Sequence, residues 1–121
     1  MEQWPPPIEN TARIEILTPV AGESVPFHHR IYGSRPGTGV PILVYVLSRD
    51  NRWYQQGDVE FRGKLWQAHV QFGSSGAPTG TTYPIVAIVP DERFKGTNPG
   101  DALETLPADI EQTDAAIVVR A

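Results

Sequence analysis

A chain of 121 residues with no cysteine, 14 acidic against 10 basic side chains and a net charge of −4 excludes several function classes at once. Disulfide frameworks, thiolate zinc sites and cysteine nucleophiles are out, and the scattered lysines and arginines form no cationic run of the kind that neutralises nucleic-acid phosphates or an anionic membrane. No apolar run approaches the ~18 residues of a membrane-crossing helix, and Met1–Pro7 has neither the basic nor the apolar segment of a secretion signal, so a cytoplasmic protein is expected. The length suits one domain of the common ~100–150 residues, large enough to bury a core without staples.

In chain order, residues 1–11 read as an extended arm. Pro5-Pro6-Pro7 favours polyproline II, with Trp4 packing on the edge of a domain that spans 12–121. Ala12–Thr18 alternates Ile14 and Ile16 against Arg13 and Glu15, the mark of a half-buried strand that Pro19 stops. Val25–Tyr32 alternates again as one strand, with Val25, Phe27, His29 and Ile31 on one face and Pro26, His28, Arg30 and Tyr32 on the other. Gly33–Gly39 is a loop. Pro41–Leu47 is apolar enough for a central strand. Arg49–Arg52 makes a turn, since Asp and Asn bond the nearby backbone and tolerate left-handed geometry, and Trp53–Gln56 follows as a strand.

Asp58–Arg62 reads as an edge segment, and Gly63-Lys64 turns the chain into Leu65–Phe72. There Trp66, Ala68, Val70 and Phe72 face the core, and Leu65, Gln67, His69 and Gln71 face away. After the Gly73–Gly80 loop comes the apolar strand Thr82–Val89, whose Pro84 points to an edge or strand-start position. Residues 91–112 read as irregular, with one or two helical turns over Asp101–Leu106 between Pro99 and Pro107. Ala115–Arg120 is the last strand. About seven strands with regular turn signals predict an all-β sandwich. Its core is expected to hold Ile14, Ile16, Phe27, Ile31, Val44, Val46, Trp66, Val70, Phe72, Tyr83, Ile85, Ala87 and Val119.

Several motifs occur together in order: Ile14-x-Ile16-x-x-Pro19-x-x-Gly22-x-x-Val25, Val44-Tyr45-Val46, Trp53-Tyr54-x-Gln56, Gly63-x-x-Trp66, Phe72-Gly73, Gly80-x-x-Tyr83-x-Ile85-x-Ala87, Leu106-Pro107 and Ile117-Val118-Val119-Arg120. Across residues 12–120 the chain resembles bacterial immunoglobulin-like modules, though that pattern often has Tyr-Tyr-Pro-Gln where Trp53-Tyr54-Gln55-Gln56 stands here. The resemblance implies an immunoglobulin-like sandwich of antiparallel strands with Greek-key connections, often appended to other domains in signalling-type proteins, and it brings no catalytic residues.

The residues offer little chemistry of their own. His28 and His29 are adjacent in a strand and so point to opposite faces. His28, His69 and an acid make at best a surface site, short of the four protein ligands of structural zinc. Asp91 and Glu92 with Asp101 read as solvated loop charge rather than a calcium site. No serine sits in a nucleophile elbow, and Gly33–Gly39 lacks the Gly-Lys-Ser/Thr of a phosphate loop. No catalytic residue, metal or cofactor is therefore expected.

The aromatics are the better candidates. Trp53, Tyr54, Tyr45, Tyr32 and Trp4 could build an exposed interaction surface, because Trp and Tyr dominate binding hot spots. The expected function is a non-enzymatic interaction module that binds another protein or a neighbouring domain, with a carbohydrate-binding module as the alternative. Self-association through edge strands such as Asp58–Arg62 is open.

Overall fold

The computed structural model describes residues 4–5 and 13–121. Over these residues the chain forms strands β1 (Glu15–Thr18), β2 (Ser24–Val25), β3 (His28–Ser34), β4 (Leu43–Leu47), β5 (Trp53–Gln55), β6 (Val59–Arg62), β7 (Leu65–Gln71), β8 (Thr82–Ile88), β9 (Ala102–Leu103) and β10 (Ala116–Arg120). One sheet has the order β1-β3-β7-β6 and the other β2-β10-β8-β4-β5-β9. Every named pairing is antiparallel except β2 beside β10. Inward-facing residues of both sheets, among them Ile31, Trp66, Val70, Val44, Ile85 and Val118, share one buried core. The chain is thus a nearly all-β, two-sheet sandwich, with more and shorter strands than the sequence suggests.

Trp66 lies at the centre, fully buried. Its ladder partner across β3 is Gly33, and its indole N–H donates to the Ser34 carbonyl at 3.0 Å. Gly33 therefore belongs to a strand rather than to the following loop. Position 33 has no room for a side chain, since a Cβ there would stand 2.0 Å from Trp66 Cζ2 and 2.3 Å from the Glu15 carbonyl oxygen. Next to this lock sits Arg35, only 5% exposed. Its guanidinium donates to the carbonyls of Gly63 (2.7 and 3.1 Å) and Val40 (2.7 Å), so each of its three nitrogens has an acceptor.

Four expectations need correction. Val25–Tyr32 is not one strand. Val25 pairs with β10 in the larger sheet, whereas Phe27 already accepts from the Phe72 N–H of the smaller sheet at 2.9 Å. Pro26, which has no N–H to give a ladder, is the crossing point. Of the two positions expected for Pro84, the edge is wrong, because β8 lies between β10 and β4, whereas the strand start is close, Pro84 being the third residue of β8. The ladder to β4 begins one residue later, at Ile85, where a donor is first required. Asp101–Leu106 forms no helical turn, since Ala102 and Leu103 add an outer strand to β5, and the helical turn is instead a 3₁₀ turn at Glu92–Phe94.

The last correction concerns the core. Val118, opposite Tyr83 in the ladder, is buried, whereas Val119 is only half-buried. A run of Ile-Val-Val carries no alternation from which the phase can be read. Ile16 and Phe27 are likewise half-buried. Val25 and Ala68 are buried along with the core residues whose faces they share, and Ile42 joins them.

A second apolar cluster covers the outer face of the larger sheet. Tyr45, Val86 and Ile88 are buried there beneath Phe94, with Trp53, Leu103, Leu106 and Ile110 packed around them. Arg93 bridges Asp91 (2.6 Å) and Asp109 (3.0 Å) within the covering segment, and the segment is joined back to the end of β8 by the Val89 N–H donating to the Glu111 carbonyl at 2.9 Å. Burial, and then the charge of Asp101, push the Tyr45 hydroxyl pKa up to about 12. An unfolded tyrosine titrates near ~10, so the folded chain holds this proton more tightly. The resulting stabilisation is present below about pH 10 and lost as pH rises toward about 12. The urea midpoint of Tyr45→Phe is therefore expected to fall less steeply than that of the parent over this alkaline range. Parallel curves would show that Tyr45 titrates as if exposed.

Candidate functional site

The five aromatics expected to form one surface are dispersed. Tyr45 is 1% exposed, lies under the covering segment and donates to Gln55 Oε1 at 3.2 Å, so it cannot serve as an exposed anchor. Trp53 packs half-buried into the same cluster. Tyr32 is on the other sheet, where Trp4 meets it edge-on at 5.6 Å and the Arg62 guanidinium lies 5.0 Å from the Trp4 ring. Trp4 is thus half-buried against the interior strand β3 and against Arg62 of β6; the rest of the 1–11 arm, apart from Pro5, lies outside the described residues. Tyr54 stands at the larger of two concavities, and Trp53 lines the other, a shallow one with Val86, Leu106 and Gln112. The strip is broken because β4 and β5 turn alternate residues to opposite faces: Tyr54 opposes the core residue Val46, whereas Trp53 opposes Leu47.

The histidines and acids do not converge. His28 is exposed beside Phe27, with ring centroids 4.1 Å apart, and His69 lies opposite Arg30 in the ladder. Asp91 accepts from Arg93, which holds its carboxyl below the usual range, and Asp101 caps the Asn98 N–H at 2.8 Å. Among the described residues no group of three or more His, Asp or Glu is placed to hold a metal ion. Among them, too, no helix is long and apolar enough to cross a membrane.

The main concavity is a cleft of about 790 Å³ where the sandwich opens at one end. Its origin is topological. The β6–β7 ladder stops at Val59 and Ala68, and the β4–β5 ladder stops at Gln55. Between them Gln56–Asp58 carries the chain from one sheet to the other. Beyond Ala68 the flank of β7 therefore has no neighbouring strand, and the Gln56 side chain stands in by accepting the Gln71 N–H at 2.9 Å. The loop Gly73–Pro78 forms the opposite wall. Arg120 anchors that loop, donating to Ala77 O (3.2 Å) and Ser75 O (3.5 Å), while Gly80 donates to Arg120 O at 2.8 Å.

Val46 and Tyr83 lie at the bottom of the cleft and Tyr54 at its mouth. The Tyr54 hydroxyl donates to Asp50, a contact that raises its pKa, with burial and the Asp50 charge adding to the shift against Arg52. Asp50 also accepts from the Arg52 N–H at 3.1 Å. Tyr83 is fully buried, and among the described residues its hydroxyl meets no hydrogen-bond partner. It lies against Gly73, where φ is 73° and an added Cβ would come within 2.3 Å of that hydroxyl oxygen. His69 lines the cleft as well, and within the described residues it makes no hydrogen bond to a serine or an acid, so no nucleophile–base pair is assembled.

Of these residues, sequence reasoning singled out Tyr54 as an interaction residue and weighed His69 only as part of a surface metal site with His28. It placed Tyr83 in the core and Gly73 in a loop. The signal that could have joined them is the pairing of a glycine at the end of one strand with a tyrosine near the start of the next.

No family model, curated protein or solved structure matches the chain.

Proposed function

We propose that this chain is a non-enzymatic interaction module of the immunoglobulin-like type, and that its recognition site is the cleft at the open end of the sandwich. Strand order supports the finer fold. The sequence β1, β3, β7, β6 follows the A-B-E-D order of an immunoglobulin sheet, and β10, β8, β4, β5 follows its G-F-C-C′ counterpart. The observation that carries the function is the cleft itself. At about 790 Å³ it falls within the ~300–1,000 Å³ of pockets that enclose small ligands. Its walls are held by side-chain and backbone hydrogen bonds. Binding without reaction fits a lining that offers hydroxyls, amides and an aromatic ring but no paired acid and base.

The test is a ligand-detected NMR screen of mixed fragments (short peptides, saccharides and aromatic acids) against the parent and Gly76→Trp. A Cβ at Gly76 meets nothing within 4 Å, so the indole is expected to stand in the cleft wall without disturbing the fold. Fragments of at least one class are expected to bind the parent and to be lost from Gly76→Trp at unchanged melting temperature. Equal binding to both proteins, or to neither, would refute the cleft as the site.

A second reading, a protein partner or a second copy added along β6, is favoured by Phe61. This residue is 42% exposed on an outermost strand, with the Arg35 guanidinium 3.9 Å from its ring centroid. The charges on Glu60 and Arg62 and the shortness of the strand act against indiscriminate pairing there. Light scattering over a concentration series separates a monomer from copies joined by this edge.

A further inference from the structure

We infer that the outer face of the larger sheet carries a second docking surface, and that its occupant is a basic segment of another protein: a large apolar side chain flanked by lysines or arginines. The inference stands apart from the cleft and goes beyond the reading above.

The covering segment leaves part of that face open. Phe94, Leu103, Leu106 and Ile110 pack with Tyr45 and Ile88. Between Trp53, Val86 and Leu106 a shallow groove of about 500 Å³ remains, with Gln112, Asp114 and Ala115 along its side. The apolar surface continues past the groove. Side chains alternate along a strand, so with Val118 buried in the core, Ile117 stands on the outer face, two residues beyond Ala115. Ile117 is 46% exposed, and its ladder partner Pro84, two residues before Val86, is half-buried. Scattered exposed apolar residues need no explanation, but a groove walled by a half-buried tryptophan and extended by such a pair suits an apolar anchor.

Charge selects the partner. Residues 91–114 hold seven of the 14 acidic side chains against two basic ones, Arg93 and Lys95, and so carry −5; the rest of the chain, with seven acidic against eight basic, carries +1. Arg93 is already engaged by Asp91 and Asp109. Asp114 lines the groove, Glu104 precedes its residue Thr105, and Glu111 precedes Gln112. All three are exposed, and among the described residues none of these carboxylates has a side-chain partner. An apolar groove with an acidic border favours an apolar anchor carried between cations and repels an acidic segment.

The experiment is NMR titration of the ¹⁵N-labelled protein with acetylated, amidated pentapeptides Lys-Lys-X-Lys-Lys, where X is Leu, Ile, Met, Phe or Trp. Lys-Lys-Ser-Lys-Lys and the matching Glu-Glu-X-Glu-Glu peptides are the controls. At least one cationic apolar peptide is expected to shift the Trp53 indole N–H and the amides of Leu106, Asp114, Ala115 and Ile117, with the controls silent there. Raising salt from about 50 to about 500 mM is expected to weaken that binding, and Glu104→Lys with Asp114→Lys to weaken it by about tenfold or more at unchanged melting temperature. The salt dependence of the parent tests the charge without any variant. The inference is overturned if none of the five peptides binds, if the serine or glutamate peptides bind equally well, if the shifts fall elsewhere, or if salt and the double variant change nothing. Light scattering that shows the parent associating and the double variant monomeric would also overturn it, since the occupant would then be a second copy of this chain.

Discussion

Trp66→Ala is expected to cost ~3–5 kcal/mol, the usual range for removing a large aromatic from a packed interior, and to lower the melting temperature by roughly ten degrees or more. The indole is fully buried at the centre of the shared core. It carries a hydrogen bond to the Ser34 carbonyl that the truncation would leave unmet. It also fills the space over Gly33 that holds β3 and β7 in register. Thermal and urea unfolding of the variant measure the loss. A change below about 1 kcal/mol would mean that the inward and outward faces of β7 are reversed.

Gly33→Ala is the second large effect, and it arises from excess rather than absence. The new methyl would be driven to within 2.0 Å of the Trp66 ring on one side and 2.3 Å of the Glu15 carbonyl on the other. Neither neighbour can yield easily, since one is the central core side chain and the other is the backbone of β1. Overpacking of this kind costs ~1–3 kcal/mol and occasionally more, and the upper end is expected here. Because part of the clash is with Trp66 itself, Gly33→Ala in a Trp66→Ala background is expected to cost clearly less than in the parent. Equal costs in both backgrounds would place the strain wholly against β1.

Much of this fold can be read from the chain. The strict alternation of Trp66, Ala68, Val70 and Phe72 with Leu65, Gln67, His69 and Gln71 sets the inner face of β7, and the structure buries that inner set. It also buries Leu65 and Gln67 on the other face; Gln67 donates to Glu60 at 2.8 Å. A two-letter pattern cannot anticipate a polar residue covered by its own sheet edge. Asp58–Arg62 as an edge and Gly63-Lys64 as a tight turn also follow from local residue chemistry, and β6 lies outermost in its sheet.

What local pattern does not carry is the identity of a strand's neighbours. Pro84 looks like an edge residue from its missing N–H. It lies in an interior strand only because the β4 ladder begins just after it. Tyr45 looks like a surface aromatic until Phe94, almost fifty residues away, is laid over it. The cleft is legible least of all. It exists because two ladders stop short on facing sheets and because Arg120, at the far end of the chain, fixes the loop opposite. Each of these is a long-range event that no window of sequence contains.

The measurement that goes most directly to the cleft is an amide correlation map of the ¹⁵N-labelled protein with its best-binding fragment added stepwise. Shifts that progress together at Tyr54, Gln56, Gln71, Gly73 and Tyr83, with β1 and β6 unmoved, are the predicted result. Shifts centred on Phe61 and β6, or on Tyr32 and Trp4, with the cleft silent, would contradict the account and move recognition to the outer strands.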